Sequence, residues 1–163
     1  MLRLQTLLRV LLTKLQLVTS VLETVKLDIT LNSNYKTHPP KARILLDGKE
    51  IFRQYITEST PFSHQAELTA GTDHQLAIEL RYKLPEHTVI DEQGKIIEDS
   101  VLLIDSLSIE DVDITEQLLI DKDLFYYEHS GGRHTLYNTL GVNGKAFINF
   151  SSPIYVWMLE NIR

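Results

Sequence analysis

The chain contains short runs in which apolar and polar residues alternate, separated by turn residues. The clearest run is Val25 to Leu31, in which every second residue is aliphatic. A period of two places successive side chains on opposite faces, so this run predicts a strand with one buried face. Residues 75–83 and 101–109 show the same pattern. The Asp47-Gly48 pair between two further runs is a strong hairpin signal.

These runs predict about nine or ten antiparallel strands, spaced roughly eight to twelve residues apart. No two strands are joined by a convincing helical segment, so two packed sheets fit better than alternating strands and helices. The last two runs, Ala146 to Phe150 and Ile154 to Leu159, are predicted to be the final strands. We therefore expect a mainly β protein, with an antiparallel β-sandwich of jelly-roll type in residues 23–163.

Aromatic residues on the predicted strands could pack in the core or face a ligand. These residues are Tyr55, Phe62, Tyr82, Phe147, Tyr155 and Trp157. We expect them to be buried or half-buried, since aromatic side chains are enriched in packed strands. The alternative is an open aromatic platform for a sugar ring.

Residues 1–22 differ from the rest of the chain in both pattern and charge. Leucines at positions 4, 8, 11 and 15 recur at the spacing of an amphipathic helix. The segment has three basic residues and no acidic ones, and its unbroken apolar stretches are too short for a secretory signal or a membrane span. Three roles stay open: a helix docked on the domain or on a second copy of the chain, a targeting or membrane-surface segment, or sequence without function.

Length and charge limit the functional classes. With 163 residues the chain is long enough for one principal domain, and without cysteine it has no disulfide or thiolate metal site. The net charge of −6 argues against nucleic-acid binding, which needs a surplus of basic residues. Cationic partners, metal ions or neutral sugars fit this charge better. An extracellular or virion location is expected before a membrane-embedded one.

The sequence has no Walker motif, nucleophile elbow or HExxH helix. Five of the six histidines, all except His64, fall in predicted loops or at their edges, where we expect them to be exposed. The segment Phe125–Tyr137 is predicted to be a mobile loop rich in tyrosine and glycine, a composition that suits recognition of sugars or protein surfaces. A flexible connection is the alternative. The candidate ligand-binding residues are Tyr126, Tyr127, His129, Arg133, His134 and Tyr137.

Residues 91–123 contain eleven carboxylates and only two lysines. Such a density of negative charge is unfavourable unless it is solvated or neutralised. Alternation places Asp105 on the same strand face as Leu107, where a carboxylate needs a partner. Asp111 and Asp113 follow closely, and closely spaced carboxylates suit calcium. Asp105, Asp111 and Asp113 are therefore the candidate metal ligands, and simple solvation of an acidic surface is the alternative.

Three segments carry a resemblance to a known family. They are Ala42–Gly48, a strand followed by a tight turn; His74–Leu80, similar to a G-x-H-x-L-x-I strand; and Leu103–Ile109, similar to a late I-D-x-I-x-I strand. Together they resemble small jelly-roll carbohydrate-binding modules, especially calcium-assisted glycan binders. The resemblance implies a glycan ligand and a calcium site. Asp105 and Asp111 lie near comparable strand ends, but the loop around them departs from the family's pattern.

The aromatic-rich segment Pro153–Asn161 is also similar to small uncharacterised proteins of tailed bacteriophages. The leading hypothesis is a noncatalytic recognition domain, with a carbohydrate ligand implied by the first resemblance. The alternative is a structural or assembly subunit, for example of a virion, in which residues 1–22 form a homo-oligomer. A glycoside-acting enzyme is a second alternative, and it requires a carboxylic acid of raised pKa that faces another acid across a cleft.

Overall fold

The computed structural model describes residues 21–162, which form two stacked antiparallel sheets and a short C-terminal helix. The strands are β1 Leu22–Asn34, β2 Lys41–Leu46, β3 Lys49–Tyr55, β4 Thr60–Thr69, β5 Asp73–Arg81, β6 Val89–Ile90, β7 Ile96–Glu98, β8 Val101–Ile109, β9 Val112–Asp113, β10 Phe125–His129, β11 Gly132–Thr135, β12 Thr139–Leu140 and β13 Gly144–Ser151. The helix α1 spans Ile154–Asn161, and two short 3-10 helices cover Pro85–His87 and Thr115–Leu119.

Sheet 1 has the strand order β12-β8-β1-β4, with β9 paired to the end of β8. Sheet 2 has the order β11-β10-β13-β5-β2-β3. β6 and β7 form a separate small hairpin. All of these described strand pairs are antiparallel. The prediction of a mainly β, antiparallel fold is confirmed.

The core lies between the two sheets and is built from aliphatic residues at alternate positions. The largest contributions come from β1, β5 and β8, with Val25, Leu27, Ile29, Leu31, Leu76, Ile78, Leu80, Leu102 and Leu107 almost fully buried. The predicted hairpin at Asp47-Gly48 is also confirmed. Both residues have positive φ, 49° and 77°, as the tight turn between β2 and β3 requires.

The prediction that Asp105 shares a strand face with Leu107 is wrong. The register between β1 and β8 shifts at this point, so that Asp105 is the extra residue of a β-bulge. The bulge changes the phase of the alternation: Leu102 and Ile104 are buried before it, whereas Leu107 and Ile109 are buried after it. Asp105 is therefore exposed and needs no buried partner.

The prediction of a final strand from Ile154 to Leu159 is wrong, because these residues begin α1. A continuous apolar run is compatible with either a strand or a helix, and the alternation rule cannot separate the two. In the structure Ile154, Trp157 and Met158 are buried at the i, i+3, i+4 spacing of one helix face. Leu159, on the opposite side, is 87% exposed.

The first turn of α1 is held by Glu23 of β1. Its carboxylate accepts hydrogen bonds from the backbone N–H of Ile154, at 3.0 Å, and from the hydroxyl of Ser152. A negative charge is favourable at the N-terminus of a helix, where backbone N–H groups lack partners. This contact joins the start of β1, an inner strand of sheet 1, to the helix that follows sheet 2.

Three of the aromatic residues that were expected to be packed are exposed instead. Tyr55 lies on the edge strand β3, Tyr82 follows the end of β5, and Tyr155 lies on the outer side of α1. Each occupies a position that the second sheet does not cover. Phe62 and Phe147 are half-buried, and Trp157 is buried.

The predicted amphipathic helix falls on residues that lie outside those the structure describes, except for Val21 and Leu22, where β1 begins. The division into residues 1–22 and 23–163 stays a prediction. Within residues 21–162, none of the helices has the length and apolar character needed to cross a membrane.

Replacing Trp157 by alanine is expected to lower the free energy of unfolding by about 3–5 kcal/mol, since a buried aromatic ring is lost. Trp157 is 4% exposed, and its ring makes edge contacts with Phe125 and Phe150, at centroid distances of 6.4 and 6.1 Å. Urea unfolding of the variant measures the loss. Leu159→Ala in the same helix is the control and should change stability by about 0.5 kcal/mol or less; equal losses for both variants would contradict the packing of α1.

Candidate functional site

One face of sheet 2 is turned away from the core, and we call it the outer face. Because side chains alternate across a strand, it carries the residues between the core positions. In β13, for example, Lys145, Phe147 and Asn149 lie on the outer face, whereas Ala146 and Ile148 are buried between the sheets. The register of the six strands aligns the outer residues in rows that run across the sheet.

The aromatic row contains Tyr126 of β10 and Phe147 of β13, which are paired in register. Their ring centroids are 5.2 Å apart, and both side chains are half-buried. The row continues through Ala77 and Leu45 on the next two strands. The guanidinium carbon of Arg133 lies 3.5 Å from the ring centroid of Tyr126, a cation–π contact that holds this ring in place. The row is an apolar strip with two partly accessible rings.

The charged row lies beside the aromatic row and crosses all six strands. Its members are Arg133, Glu128, Lys145, Glu79, Arg43 and Arg53. Glu79 is buried at the centre and accepts a hydrogen bond from Nε of Arg43 at 2.6 Å. Nε of Arg81 and Nζ of Lys145 each lie 3.8 Å from its carboxylate oxygens. The hydrogen bond to Glu79 raises the pKa of Arg43.

The opposite side of the aromatic row carries amides. Nε2 of Gln75 donates a hydrogen bond to Oδ1 of Asn149 at 2.9 Å. Both side chains line a cleft of about 510 Å³ between the end of sheet 2 and α1. Acidic and polar side chains complete the cleft, among them Asp47, Asp73, Glu160 and Asn161. The cleft thus offers several oxygen acceptors and amide donors in a small space.

His74 is a residue of this cleft that the sequence interpretation missed. It was expected to be exposed in a loop, but it is buried on β5. Its Nδ1 lies 2.7 Å from Oδ2 of Asp47, and its Nε2 lies 3.0 Å from Oγ1 of Thr72. The available signal was its phase, since position 74 continues the inward series formed by Leu76 and Ile78.

The predicted mobile loop is largely a hairpin of β10 and β11 with a tight turn at Ser130-Gly131, both at positive φ. The hairpin separates the six candidate ligand-binding residues. Tyr126 and Arg133 lie on the outer face of sheet 2. The opposite face carries Tyr127, His129 and His134. Tyr137 lies after the end of β11 and is exposed.

The opposite face of the hairpin is a stack of rings. The centroids of His129 and His134 are 3.9 Å apart with planes inclined by 15°, and His129 also contacts the ring of Tyr127. The hydroxyl of Tyr127 donates to the carbonyl oxygen of Val142. Burial raises the pKa of Tyr127 to about 12. These contacts are those of packed side chains that hold the edge of the sheet.

The structure does not bring the three candidate metal ligands together. Asp105 accepts a hydrogen bond from Asn32, and Asp111 from Nζ of Lys26, each at 2.8 Å. Hydrogen bonds from the side chain and backbone of Thr115 lower the pKa of Asp113. Within residues 21–162, no three acidic or histidine side chains are grouped so that they could hold a metal ion. The described residues therefore do not fit the calcium site that the resemblance implies.

Comparison with known proteins gives likenesses of structure. No protein-family profile matches the chain, and no curated protein matches its sequence. Two solved structures match. One is vCBM60 in complex with galactobiose, at 10% identity and a TM-score of 0.45, covering 76% of this chain and 98% of that one.

The other is the selenomethionine form of vCBM60, at 5% identity and a TM-score of 0.46, covering 76% of this chain and 89% of that one. Its description states that circular permutation provides an evolutionary link between two families of calcium-dependent carbohydrate-binding modules. Both matches belong to the class of module that the sequence resembles. At this similarity the two structures assign no role to any residue of this chain.

Acidification is expected to destabilise the hairpin through its histidine pair. Burial and the neighbouring charge of His134 lower the pKa of His129. Between this lowered value and about 6.5 the unfolded chain binds more protons than the folded one, so stability falls as the pH falls through this window. Urea unfolding at several pH values from 7 to 5 measures the slope. His134→Phe keeps a ring but removes the charge, and its slope should be shallower; an unchanged slope would contradict the coupling.

Proposed function

We propose that the protein is a noncatalytic recognition domain that binds a carbohydrate on the outer face of sheet 2. The observation that carries the proposal is the position of the aromatic row. Tyr126 and Phe147 lie between a row of charged side chains on one side and the amides of Gln75 and Asn149 on the other. A flat apolar strip with polar groups along both edges therefore runs across a strand-built surface.

The aromatic row matches one property of a sugar ring. A pyranose ring has an apolar face of C–H groups and an edge of hydroxyls. Half-buried aromatic rings offer a flat apolar surface from which water is displaced on contact. Because Arg133 and Phe147 both contact Tyr126, its ring is already ordered before a ligand arrives. Less conformational entropy is then lost on binding.

The polar rows match the other property. Amide groups have both donors and acceptors, so Gln75 and Asn149 can pair with sugar hydroxyls, which also do both. Strands hold these side chains at fixed spacings, about 4.8 Å between neighbouring strands and about 7 Å between residues i and i+2. A surface of six strands therefore has a width of roughly 24 Å. This width suits an oligosaccharide better than a single sugar.

The carboxylates of the outer face support binding and not catalysis. Glu79 is held by Arg43, and Glu50 accepts a hydrogen bond from Arg53 at 2.6 Å. A glycosidase needs one carboxylic acid that is protonated near neutral pH, opposite a second carboxylate. The carboxylates of Glu79 and Glu50 are instead each occupied by a guanidinium group. Calcium has no part in the proposal, since the described residues offer it no site.

Tyr126→Ala and Phe147→Ala are each expected to weaken carbohydrate binding about 5- to 30-fold, which is about 1–2 kcal/mol for the loss of an aromatic contact. A glycan array identifies the bound oligosaccharide, and isothermal titration calorimetry measures its Kd. Adding EDTA should leave the Kd unchanged. Tyr155→Ala is the matched control, because this exposed tyrosine of α1 donates its hydroxyl to Glu110 near sheet 1.

A third variant, Tyr137→Ala, distinguishes the outer face from the exposed end of the segment Phe125–Tyr137, which the sequence predicted to bind a ligand. It should bind like the unmodified protein if the outer face is the site. Loss of binding with Tyr137→Ala, but not with the two aromatic-row variants, would move the site to the segment after β11. An array on which no carbohydrate binds would contradict the proposed function as a whole.

A further inference from the structure

A second aromatic and basic cluster lies on the same outer face, two residues beyond the charged row. Arg81, Lys41 and Tyr55 are paired in register on β5, β2 and β3, and Tyr82 follows Arg81. Nζ of Lys41 lies 5.2 Å from the ring centroids of both tyrosines, and Cζ of Arg81 lies 4.9 Å from the centroid of Tyr82. Two cations are therefore held against two aromatic rings.

The rings of this cluster are accessible to a ligand. Tyr55 is 54% exposed and Tyr82 is 61% exposed. Tyr82 also has a φ of 60°, a left-handed backbone conformation that is strained for a bulky residue. The strained backbone holds an exposed ring between Lys41 and Arg81, although the ring fills no place in the core.

The cluster surrounds a small pocket of about 60 Å³. Its lining includes Lys41, Tyr55, Arg81, Tyr82, His87 and Ser100. The volume equals that of about two water molecules in the liquid, which is enough for a carboxylate or for most of a sulfate group. The pocket thus has the size of one small acidic group.

Ser100 supplies an independent observation. It is 2% exposed, and within residues 21–162 its hydroxyl has no hydrogen-bond partner. Buried polar groups are nearly always paired, since an unpaired one has lost its hydrogen bonds to water without replacing them. A hydroxyl without a partner that borders a pocket lined by Lys41 and Arg81 is a donor available for an anion.

The charges of the outer face are unevenly balanced. Glu79 and Glu50 pair with Arg43 and Arg53 of the charged row, whereas no carboxylate of the described part of the chain lies within ion-pair distance of Lys41. Arg81 is 3.8 Å from Glu79, which it shares with Arg43 at the shorter distance of 2.6 Å. Positive charge therefore remains uncompensated at this end of the face, although the whole chain has a net charge of −6.

We infer that this pocket is a subsite for a carboxylate or sulfate group, so that the carbohydrate of the proposed function is an acidic one; the inference rests on that function. The ammonium of Lys41 and the guanidinium of Arg81 bind the anion by charge-assisted hydrogen bonds, and the hydroxyl of Ser100 adds a donor. The faces of Tyr55 and Tyr82 contact the sugar ring that carries the acidic group.

The rest of the surface favours a carbohydrate over a long polyanion such as a nucleic acid. Asp47, Asp73 and Glu160 line the cleft at the far end of the same face, and they repel negative charge. A ligand with acidic groups at intervals and neutral hydroxyls between them avoids this repulsion. A chain with a phosphate at every unit does not.

The test uses oligomers of galactose, glucose and mannose, each prepared in neutral, uronate and sulfated form, with a short single-stranded DNA for comparison. Isothermal titration calorimetry gives the Kd of each probe. At least one acidic oligomer should bind about tenfold or more tightly than its neutral parent. The uronate and sulfate forms identify which acidic group fits the pocket.

Two variants assign the preference to the pocket. Lys41→Gln and Ser100→Ala should each weaken binding of the acidic oligomer about 5- to 10-fold and leave the neutral parent unaffected. Ser100→Ala should also leave the thermal unfolding midpoint unchanged or higher, because it removes an unpaired buried hydroxyl. Lys95→Gln, the same charge change in the turn between β6 and β7, is the control and should alter neither affinity.

The outcomes separate this inference from the function on which it rests. Neutral and acidic oligomers that bind equally, with Tyr126→Ala still weakening both, would overturn the acidic subsite and keep the carbohydrate site. Tighter binding of the DNA than of every acidic oligomer would overturn the inference in favour of a nucleic acid. If the unmodified protein binds none of the probes, both the acidic subsite and the proposed carbohydrate-binding function are overturned.

Discussion

Hydrophobic contact between the inward-facing rows of the two sheets is the interaction on which the rest of this structure depends. Side chains such as Leu27, Ile78 and Leu107 are fully buried there. Each contributes about 1.5–3 kcal/mol relative to an exposed position. Since strand side chains alternate, burying one set turns the intervening set outward in equal number. The core therefore creates a second ordered surface, and on sheet 2 this surface carries the aromatic row, the charged row and the amides.

The charges of the outer face give it a direction. The buried carboxylate of Glu79 is surrounded by three basic groups and so avoids the cost of an unpaired buried charge. Positive charge is left over at the end with Lys41, whereas carboxylates line the cleft at the other end. A ligand with one acidic end would place that end near Lys41 and would therefore bind in a single orientation. The aromatic row, between the two ends, would contact its middle.

The features that could be predicted from the sequence are those set by neighbouring residues. The alternation of β1 and the turn at Asp47-Gly48 depend only on local pattern, and both are present. The bulge at Asp105 depends on how β8 pairs with β1. Asn32 of β1, which donates a hydrogen bond to Asp105, lies 73 positions earlier in the chain, so local alternation predicted the wrong face for Asp105. The helix after Pro153 was missed because its apolar run is continuous and both periods fit it.

The candidate site is harder to predict from sequence for the same reason. The small pocket beside Lys41 combines residues from four separate segments, near positions 41, 55, 81 and 100. Each of these is an ordinary lysine, tyrosine, arginine or serine in its own segment. The tyrosine-rich stretch around Tyr126 gave a partial signal, since two of its six candidates, Tyr126 and Arg133, lie on the outer face. The partner ring, Phe147, was expected to be a packing residue.

The contact between Glu23 and Ile154 has a consequence for the order in which the protein is made. The two groups are 131 positions apart, so the carboxylate at the start of β1 has no helix to cap until α1 has left the ribosome. Until then, Phe125 and Phe150 lack the indole ring of Trp157 that packs on them. Closure of this end of the sandwich thus follows the synthesis of both sheets. A nascent chain that stops before residue 152 exposes apolar surface of the kind that chaperones bind.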